Sequence, residues 1–395
     1  MRTVLTADSL WTGSKLIPYP IVEIEGDRVV AITEGFGARV EIPGADAHEF
    51  KGSMIAPAFF DVHIHGAAGH DVMEATPEAL GAIGKFLATR GTGSYLATTV
   101  TAPLDITLRA LNGIANLIDH PDRIDPEGDA ALPIGIHLEG PFLSHAKCGV
   151  QPKEHLLEPD IATFDKLYEA AGGHARLMTL APELPGAVEL VAHATAKGVK
   201  VSLGHSDATA AETRAAIAAG AVSATHTFNA MRSLDHREPG ILGTVLATDS
   251  LYAELVCDGI HTAPEIVKIW WRAKGSQRAI LVTDAMSAAG MPDGEYHLGG
   301  FPVQVANGRA TARGVLAGSV LTLDRALENF IEFTGATLDQ ALRLLTVNPA
   351  TMTGFCAEAG TIAVGRKANL VAIGGKGKLA ASIHNGQLVG AVAAR

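Results

Sequence analysis

The segment Asp61-Val62-His63-Ile64-His65 sets the interpretation of the whole chain. It ends a mostly apolar run over residues 53–61, which predicts a buried strand. Because successive side chains of a strand point to opposite faces, His63 and His65 share one face, and both imidazoles can reach one ion. Two histidines in this spacing also occur by chance, so the interpretation depends on the rest of the chain.

Seven further apolar runs predict buried strands later in the chain, at residues 94–100, 133–137, 176–180, 199–203, 222–225, 252–257 and 279–282. Amphipathic stretches predict helices, for example at 207–219, 264–273, 321–333 and 338–345. Strands that alternate with helices indicate a parallel sheet, and eight in series fit an α/β fold of the closed (β/α)8 TIM-like barrel type. No GxGxxG motif follows the first strand, so a dinucleotide-binding fold has no support.

Both ends of the chain are rich in predicted strands. Residues 21–25 and 28–32 flank Gly26-Asp27, and another hairpin is predicted around Asn385-Gly386. We therefore expect a small β-sandwich domain formed by residues 1–55 and 355–395, with the barrel as the catalytic domain over residues 56–354.

Composition narrows the classes of partner. The chain has 395 residues and a formal net charge of −11, which argues against nucleic acid but not against one small phosphorylated ligand. The sequence contains no run of eighteen apolar residues and no apolar signal core near Met1, so we expect no membrane association. Three cysteines without CxxC spacing predict reduced thiols and a cytoplasmic location.

Polar residues follow the predicted strands at the end where a barrel of this type carries its active site. Glu139 ends the third strand, His205 the fifth and His226 the sixth. A catalytic divalent ion needs about three such ligands and an open position for water. These three residues could supply one site, and His63 and His65 could hold the same ion or a second one, with Glu139 as a bridge.

Asp284 ends the eighth strand and is a candidate proton carrier. It could take a proton from the attacking water and return it to a leaving amine. Each residue also has a simpler explanation: Asp258 could cap the following helix, and Asn229 could satisfy its own turn. Histidines and carboxylates at the ends of six of eight strands nevertheless favour a metal-dependent hydrolase.

The chain resembles the amidohydrolase superfamily at the 61–65 segment, the later histidines and the last-strand aspartate, and also at residues 348–350, 360–362 and 365–370. Many members carry a carboxylated lysine on the fourth strand, but residues 176–183 contain no lysine. A glutamate on the third strand instead resembles the N-acetylglucosamine-6-phosphate deacetylase family. Further matching motifs lie at residues 137–141, 204–206, 225–231, 237–240, 258–261, 283–286 and 316–319.

The resemblance implies a reaction and a set of roles. It implies hydrolysis of the N-acetyl group of N-acetylglucosamine-6-phosphate, giving glucosamine-6-phosphate and acetate, by a homodimer. It implies one or two divalent ions per subunit, zinc before iron, cobalt or manganese, with Glu139, His205 and His226 as ligands and Asp284 as the proton shuttle. The substrate contacts would be Val150, Gln151, Asn229, Ala230, Arg237, Asp258, His261, Leu316, Ala317 and Gly318.

Three positions depart from the pattern of that family. Some members have Gln and Asn where this chain has His63 and His65, so this chain can hold two ions. Some members bind substrate with a histidine where this chain has Gln151, which would donate in its stead. Ala58 replaces the usual glycine before the first-strand motif, with a local backbone effect only.

Other functions stay open at this point. One is another amidohydrolase, such as a D-aminoacylase or a dihydroorotase-like enzyme, and Arg237 argues against it because a basic group after the sixth strand suits a phosphate. Arg237 could instead pair with Asp235 or Glu238 on the surface. Another is a non-catalytic barrel that binds metal or sugar, which the presence of Asp284 disfavours. The sequence does not separate the glucosamine substrate from its galactosamine epimer.

Overall fold

Two regions, one around a mixed sheet and one around parallel strands, make up the fold. The computed structural model describes residues 2–35 and 44–391 of the chain. The mixed sheet takes strands from both ends of the sequence, at Arg2–Trp11, Leu16–Pro18, Pro20–Glu25, Arg28–Glu34, Asp46–Pro57, Leu370–Ile373, Leu379–His384 and Gln387–Ala391.

Arg2–Trp11 lies inside the mixed sheet. It pairs antiparallel with Pro20–Glu25 and parallel with Asp46–Pro57, which in turn pairs antiparallel with Leu370–Ile373. Both predicted hairpins are present. In place of the two facing sheets of the predicted sandwich, the described strands form one continuous sheet. Its apolar core combines side chains from both ends of the sequence, among them Leu5, Leu10, Ile24, Ile55, Leu370 and Ile383.

Eight short strands run through the middle of the chain and are called here the first to eighth parallel strands. They are Phe59–Ile64, Thr92–Thr99, Leu132–Glu139, Ala175–Leu180, Lys200–Leu203, Ser223–Ala224, Ala253–Val256 and Ala279–Val282. The first six form one curled parallel sheet in chain order, and the last two form a second sheet. Backbone bonds cross both gaps, for example from Ala224 N to Tyr252 O (3.0 Å) and from Asp284 N to His63 O (2.9 Å). This arrangement is consistent with the predicted barrel.

The predicted first strand was wrong in its bounds. The apolar run over residues 53–61 belongs to two elements, because Asp46–Pro57 lies in the mixed sheet and Phe59–Ile64 is the first parallel strand. Ala58 stands between them, and its N–H donates to Asn369 O at 3.0 Å. Both elements are buried, and hydrophobicity alone does not mark the point where the chain passes from one sheet to the other.

Helices connect most of the parallel strands. The α-helices are Pro77–Thr89, Leu104–Asp119, Ile161–Ala170, Ala187–Ala196, Ala210–Ala219, Gly240–Ala247, Pro264–Arg278, Leu323–Thr334, Leu338–Leu345 and Val347–Thr353. The helix predicted from residue 207 begins only at Ala210, because Thr209 caps it in a box with Glu212. Short 3-10 turns lie at Val72–Glu74, Pro121–Arg123, Lys153–His155 and Gly375–Gly377, and a two-residue strand pair at Gly66–Ala67 and His70–Asp71.

A small antiparallel sheet interrupts the predicted barrel region after the eighth parallel strand. Its strands are Gly294–Leu298, Phe301–Ala306, Arg309–Ala312 and Val315–Leu316. No strands were predicted in this region, although buried and exposed residues alternate along Phe301–Ala306. We call it the insertion sheet.

Cys148, Cys257 and Cys356 are free thiols. Over residues 2–35 and 44–391, none of the helices combines the length and the apolar character that crossing a membrane requires.

Candidate metal centre

The predicted ligands from four different strands meet at Glu139, the last residue of the third parallel strand. Its Oε1 lies 3.2 Å from Nε2 of His205, 3.2 Å from Nε2 of His226 and 3.3 Å from Nε2 of His63. Its Oε2 lies 3.4 Å from Nε2 of His65. All five side chains are buried. We call Glu139, His205 and His226 the His205 group, and Glu139, His63 and His65 the His63 group.

Backbone carbonyls determine which ring nitrogen faces this centre. Nδ1 of His65 lies 3.0 Å from Thr98 O, and Nδ1 of His205 lies 3.1 Å from Lys147 O. Because a carbonyl oxygen only accepts, each Nδ1 carries its hydrogen. The Nε2 that faces Glu139 is therefore the atom that binds either a proton or a metal ion.

The separations within each group fit a small divalent ion. Ligands at ordinary zinc–nitrogen and zinc–oxygen distances in a tetrahedron lie about 3.3 Å apart. Within the His205 group the separations are 3.1 to 3.2 Å, and within the His63 group they are 3.3 to 3.4 Å. In the described part of the chain, no Lys or Arg pairs with Glu139 or Asp284. Imidazole and carboxylate donors suit zinc, iron, cobalt or manganese.

The backbone at three strand ends is unusual. His205, His226 and Asp284 each stand two residues beyond a parallel strand, with φ of 47°, 27° and 50°. Side-chain-bearing residues rarely adopt this left-handed region, which costs about 1–3 kcal/mol each. Hydrogen bonds hold Asp284 in it, since its N–H donates to His63 O at 2.9 Å and its carbonyl accepts from Ser319 N at 2.6 Å. Such strain concentrates at functional sites.

Asp284 lies at the edge of the His63 group. Its Oδ1 is 3.2 Å from Nε2 of His65 and 3.6 Å from Nε2 of His63. Burial raises the pKa of Asp284, but His63 and His65 lower it by more. The pKa therefore lies below its usual value, and the carboxylate is charged. Burial lowers the pKa of His65, while Asp284 and Glu139 raise it to about 9 overall. In the metal-free protein this group therefore holds protons, and a metal ion must displace them.

Gln151 contacts the centre in a different way from the one predicted. Its Oε1 accepts from Thr101 N at 2.9 Å, which orients the amide, and its Nε2 donates to Glu139 Oε2 at 2.7 Å. The side chain is buried. Gln151 thus holds the shared carboxylate, and one hydrogen on Nε2 is left for a ligand.

A cavity of about 200 Å³ opens onto the centre. It brings together many of the predicted site residues, namely His65, Glu139, Val150, Gln151, His205, His226, Asn229, Ala230, His261, Asp284, Leu316 and Gly318. The insertion sheet adds Leu298 and Val315, which the sequence analysis missed. Ala317 lies between two lining residues but points into an apolar cluster.

Asp258 does not line this cavity, but it supports His261, which does. Its Oδ2 lies 2.7 Å from Nδ1 of His261, and its Oδ1 accepts from His261 N at 2.7 Å. Burial lowers the pKa of His261, but this bond and the charge of Asp258 raise it above its ordinary value. Asp258 therefore holds the His261 ring at the cavity wall and favours its charged form.

Arg237 is not among the residues that line the cavity of its own chain. It is exposed on the loop after the sixth parallel strand, and its backbone N–H donates to Asp235 Oδ1 at 2.8 Å. Within the described residues, its guanidinium forms no ion pair with Asp235 or Glu238.

Comparison with known proteins places this site in a family. The amidohydrolase family pattern matches residues 54–390. The chain belongs to the amidohydrolase family. Among its relatives in that family, an N-acetylgalactosamine-6-phosphate deacetylase of Escherichia coli O157:H7 is 39% identical, over 87% of this chain and 90% of the relative. An N-acetylglucosamine-6-phosphate deacetylase of Lysinibacillus sphaericus is 40% identical, over 79% of each chain.

Solved structures of this family agree with the sequence relatives. A mutant N-acetyl-D-glucosamine-6-phosphate deacetylase from Mycobacterium smegmatis, in complex with N-acetyl-D-glucosamine-6-phosphate, superposes with a TM-score of 0.89. It is 34% identical to this chain, and the match covers 98% of this chain and 99% of the other. The resemblance to the deacetylases inferred from the sequence motifs is therefore confirmed.

Proposed function

We propose that this amidohydrolase removes the acetyl group of N-acetylglucosamine-6-phosphate by metal-dependent hydrolysis. The observation that carries the proposal is the convergence of four histidine Nε2 atoms on the buried Glu139, with Asp284 beside two of these histidines and a cavity next to the centre. The relatives named above act on N-acetylated amino-sugar phosphates. Water would add to the amide carbon and the C–N bond would break. The two products are acetate and glucosamine-6-phosphate, which carries the freed amine.

The His205 group would hold the principal ion, zinc before iron, cobalt or manganese, and the His63 group a second one. A divalent ion supplies Lewis acidity, which polarises the amide carbonyl and makes water acidic enough to attack near neutral pH. Gln151 keeps the shared Glu139 carboxylate in place through its 2.7 Å bond.

Asp284 would act as general base and then as general acid. Its charged carboxylate accepts the proton that the attacking water loses, and returns it to the nitrogen as the C–N bond breaks. His261, held by Asp258, would donate to the bound sugar, and Asn229, Ala230, Leu316 and Gly318 would line its binding site. Val150 would also contact the sugar, since it lines the same cavity.

Arg237 would bind the phosphate across a subunit interface. Its side chain is exposed and lies outside the cavity of its own chain, as expected if it reaches the cavity of a second subunit. We therefore propose a homodimer as the active unit. The cytoplasmic location also stays a prediction.

The strands around this centre would close into a (β/α)8 barrel. The backbone bonds that join the sixth to the seventh and the eighth to the first strand support closure. We propose residues 56–354 as the catalytic domain and residues 1–55 with 355–395 as the small β domain, except that the first boundary moves to residue 58, because Asp46–Pro57 lies in the mixed sheet.

A substrate panel tests the proposal. Purified enzyme is stripped with a chelator, reloaded with zinc, and assayed for acetate release. We expect turnover of N-acetylglucosamine-6-phosphate that disappears on chelation and returns with metal. Unphosphorylated N-acetylglucosamine, an N-acetyl-D-amino acid and dihydroorotate serve as controls, and faster turnover of any of these would overturn the assignment.

The galactosamine epimer is a second candidate substrate. The E. coli relative, 90% of whose length is covered by the match to this chain, is named for that epimer. The ratio of kcat/KM for the two 6-phosphates decides between them.

A further inference from the structure

Glu254 is a buried carboxylate that the proposed mechanism does not use. It lies in the middle of the seventh parallel strand, Ala253–Val256, whose other residues are apolar and fully buried. The exposed fraction of Glu254 is 0%. Burial of a carboxylate costs several kcal/mol unless a cation or hydrogen bonds compensate. The position therefore calls for a cation or a hydrogen-bond donor as its partner.

The contacts of Glu254 point to one partner. Its Oε2 lies 3.5 Å from Nδ1 of His63, while its Oε1 is buried and has no hydrogen-bond partner among the described residues. In the part of the chain that the structure describes, no Lys or Arg pairs with this carboxylate; its ion-pair contact is with His63. The Glu254 carboxyl group thus contacts the His63 group at Nδ1 of His63.

His63 is held between this carboxylate and the centre. Its Nδ1 faces Glu254, and its Nε2 lies 3.3 Å from Glu139 Oε1 and 3.6 Å from Asp284 Oδ1. Metal-binding histidines commonly donate their second N–H to a carboxylate or carbonyl, which sets the tautomer and strengthens the ligand. Nδ1 of His65 faces a backbone carbonyl, whereas Nδ1 of His63 faces the carboxyl group of Glu254.

We propose that Glu254 is a positioning residue for the ion of the His63 group. It holds His63 with Nδ1 protonated and Nε2 directed at that ion, and its charge helps to balance a second divalent ion. Glu139 and Asp284 provide only two negative charges against the four positive charges of two such ions, and Glu254 adds a third. This inference rests on the two-ion centre of the proposed function.

The experiment counts ions in the full-length protein. Metal-free wild type, Glu254→Leu and Glu254→Gln are titrated with zinc, and bound zinc per subunit is measured by elemental analysis. The matched control is Asp324→Asn, because Asp324 is also buried but pairs with Arg90 (2.8 Å) instead of a histidine of the centre. Thermal unfolding of the metal-free proteins reports on the fold.

We expect two zinc ions per subunit in wild type and Asp324→Asn, and one in Glu254→Leu. Glu254→Gln keeps an acceptor without the charge, so we expect a second ion bound about 10- to 100-fold more weakly. Substitution of a residue needed only for the fold would not weaken the binding of one ion and leave the other unchanged.

Other results would overturn the inference. These are two tightly bound ions in Glu254→Leu, or loss of both ions in a folded Glu254→Leu. If that variant does not fold, Glu254→Gln decides, and an unchanged second affinity contradicts the role. One ion in wild type removes the second site and the role of Glu254, while the deacetylase proposal is judged separately by acetate release.

Discussion

The two ion-binding groups share Glu139 but are built differently. The His205 group gathers residues from the third, fifth and sixth parallel strands, and two of its members need a left-handed backbone to reach the centre. The His63 group takes two histidines from one strand end, where alternation alone puts them on one face. The difference shows that the His205 group depends on the geometry of several loops. The His63 group depends on one strand and its buried neighbours.

The largest expected effect comes from the residue that both groups share. In Glu139→Ala each group keeps two imidazoles only, which are too few for a stable site. We expect loss of both ions and of measurable turnover, with elemental analysis and acetate release as the readouts. Full metal content in this variant would show that Glu139 is not a ligand and that the two groups are independent.

Asp284→Asn separates chemistry from binding. The amide cannot accept the water's proton, so we expect kcat to fall by about 10²–10⁴-fold while the substrate still binds. Substrate affinity is measured by calorimetry and turnover by acetate release. Near-wild-type turnover would remove Asp284 from the proton path.

Removal of the first-strand histidines isolates the His205 group. In the double variant His63→Ala plus His65→Ala, we expect the ion count to fall from two to one per subunit, with some turnover kept by the His205 group. Elemental analysis provides the count. If the count does not change, these histidines bind no ion and the comparison between the groups fails.

The smallest effect is expected at Arg237, which contacts neither ion-binding group. A charge-assisted hydrogen bond contributes about 1.5–3 kcal/mol, so Arg237→Ala should raise KM for the 6-phosphate about 10- to 100-fold. KM for unphosphorylated N-acetylglucosamine and the ion count should stay unchanged. Arg214→Ala, an exposed arginine on helix Ala210–Ala219, is the matched control.

Equal losses on both substrates would leave Arg237 as a structural residue. Sedimentation of the wild type tests the accompanying dimer proposal. A fully active monomer would contradict it.

Local patterns predicted most of the parallel strands and the polar residues at their ends. The run at residues 279–282 coincides with the observed strand, and His205, His226 and Asp284 stand where the end of a strand predicts them. The curled sheet brings these residues together. The hydrophobic pattern of the sequence predicts the order of the strands but not the distances between side chains at their ends. The assignment of each residue's role rests on the proposed experiments.

Contacts between distant parts of the chain could not be predicted in this way. Glu254 meets His63 across 191 residues, and the available signal was only a charged residue inside an otherwise apolar strand. The bond from Gln151 to Glu139 depends on how Thr101 N orients the amide, which no local pattern carries. The insertion sheet did have a local signal, the alternation along Phe301–Ala306, but lay within a region interpreted as strand and helix only.

The mixed sheet also has a consequence for how the protein is made. Asp46–Pro57 pairs with Leu370–Ile373, so its edge stays open until the chain has been made as far as residue 373 and has left the ribosome. At ~5–20 residues per second, this wait is on the order of tens of seconds. During that time the early strands expose unpaired backbone groups, which favour association with other nascent chains. We therefore expect truncation near the C-terminus to cause aggregation during synthesis, even though every metal ligand would be present.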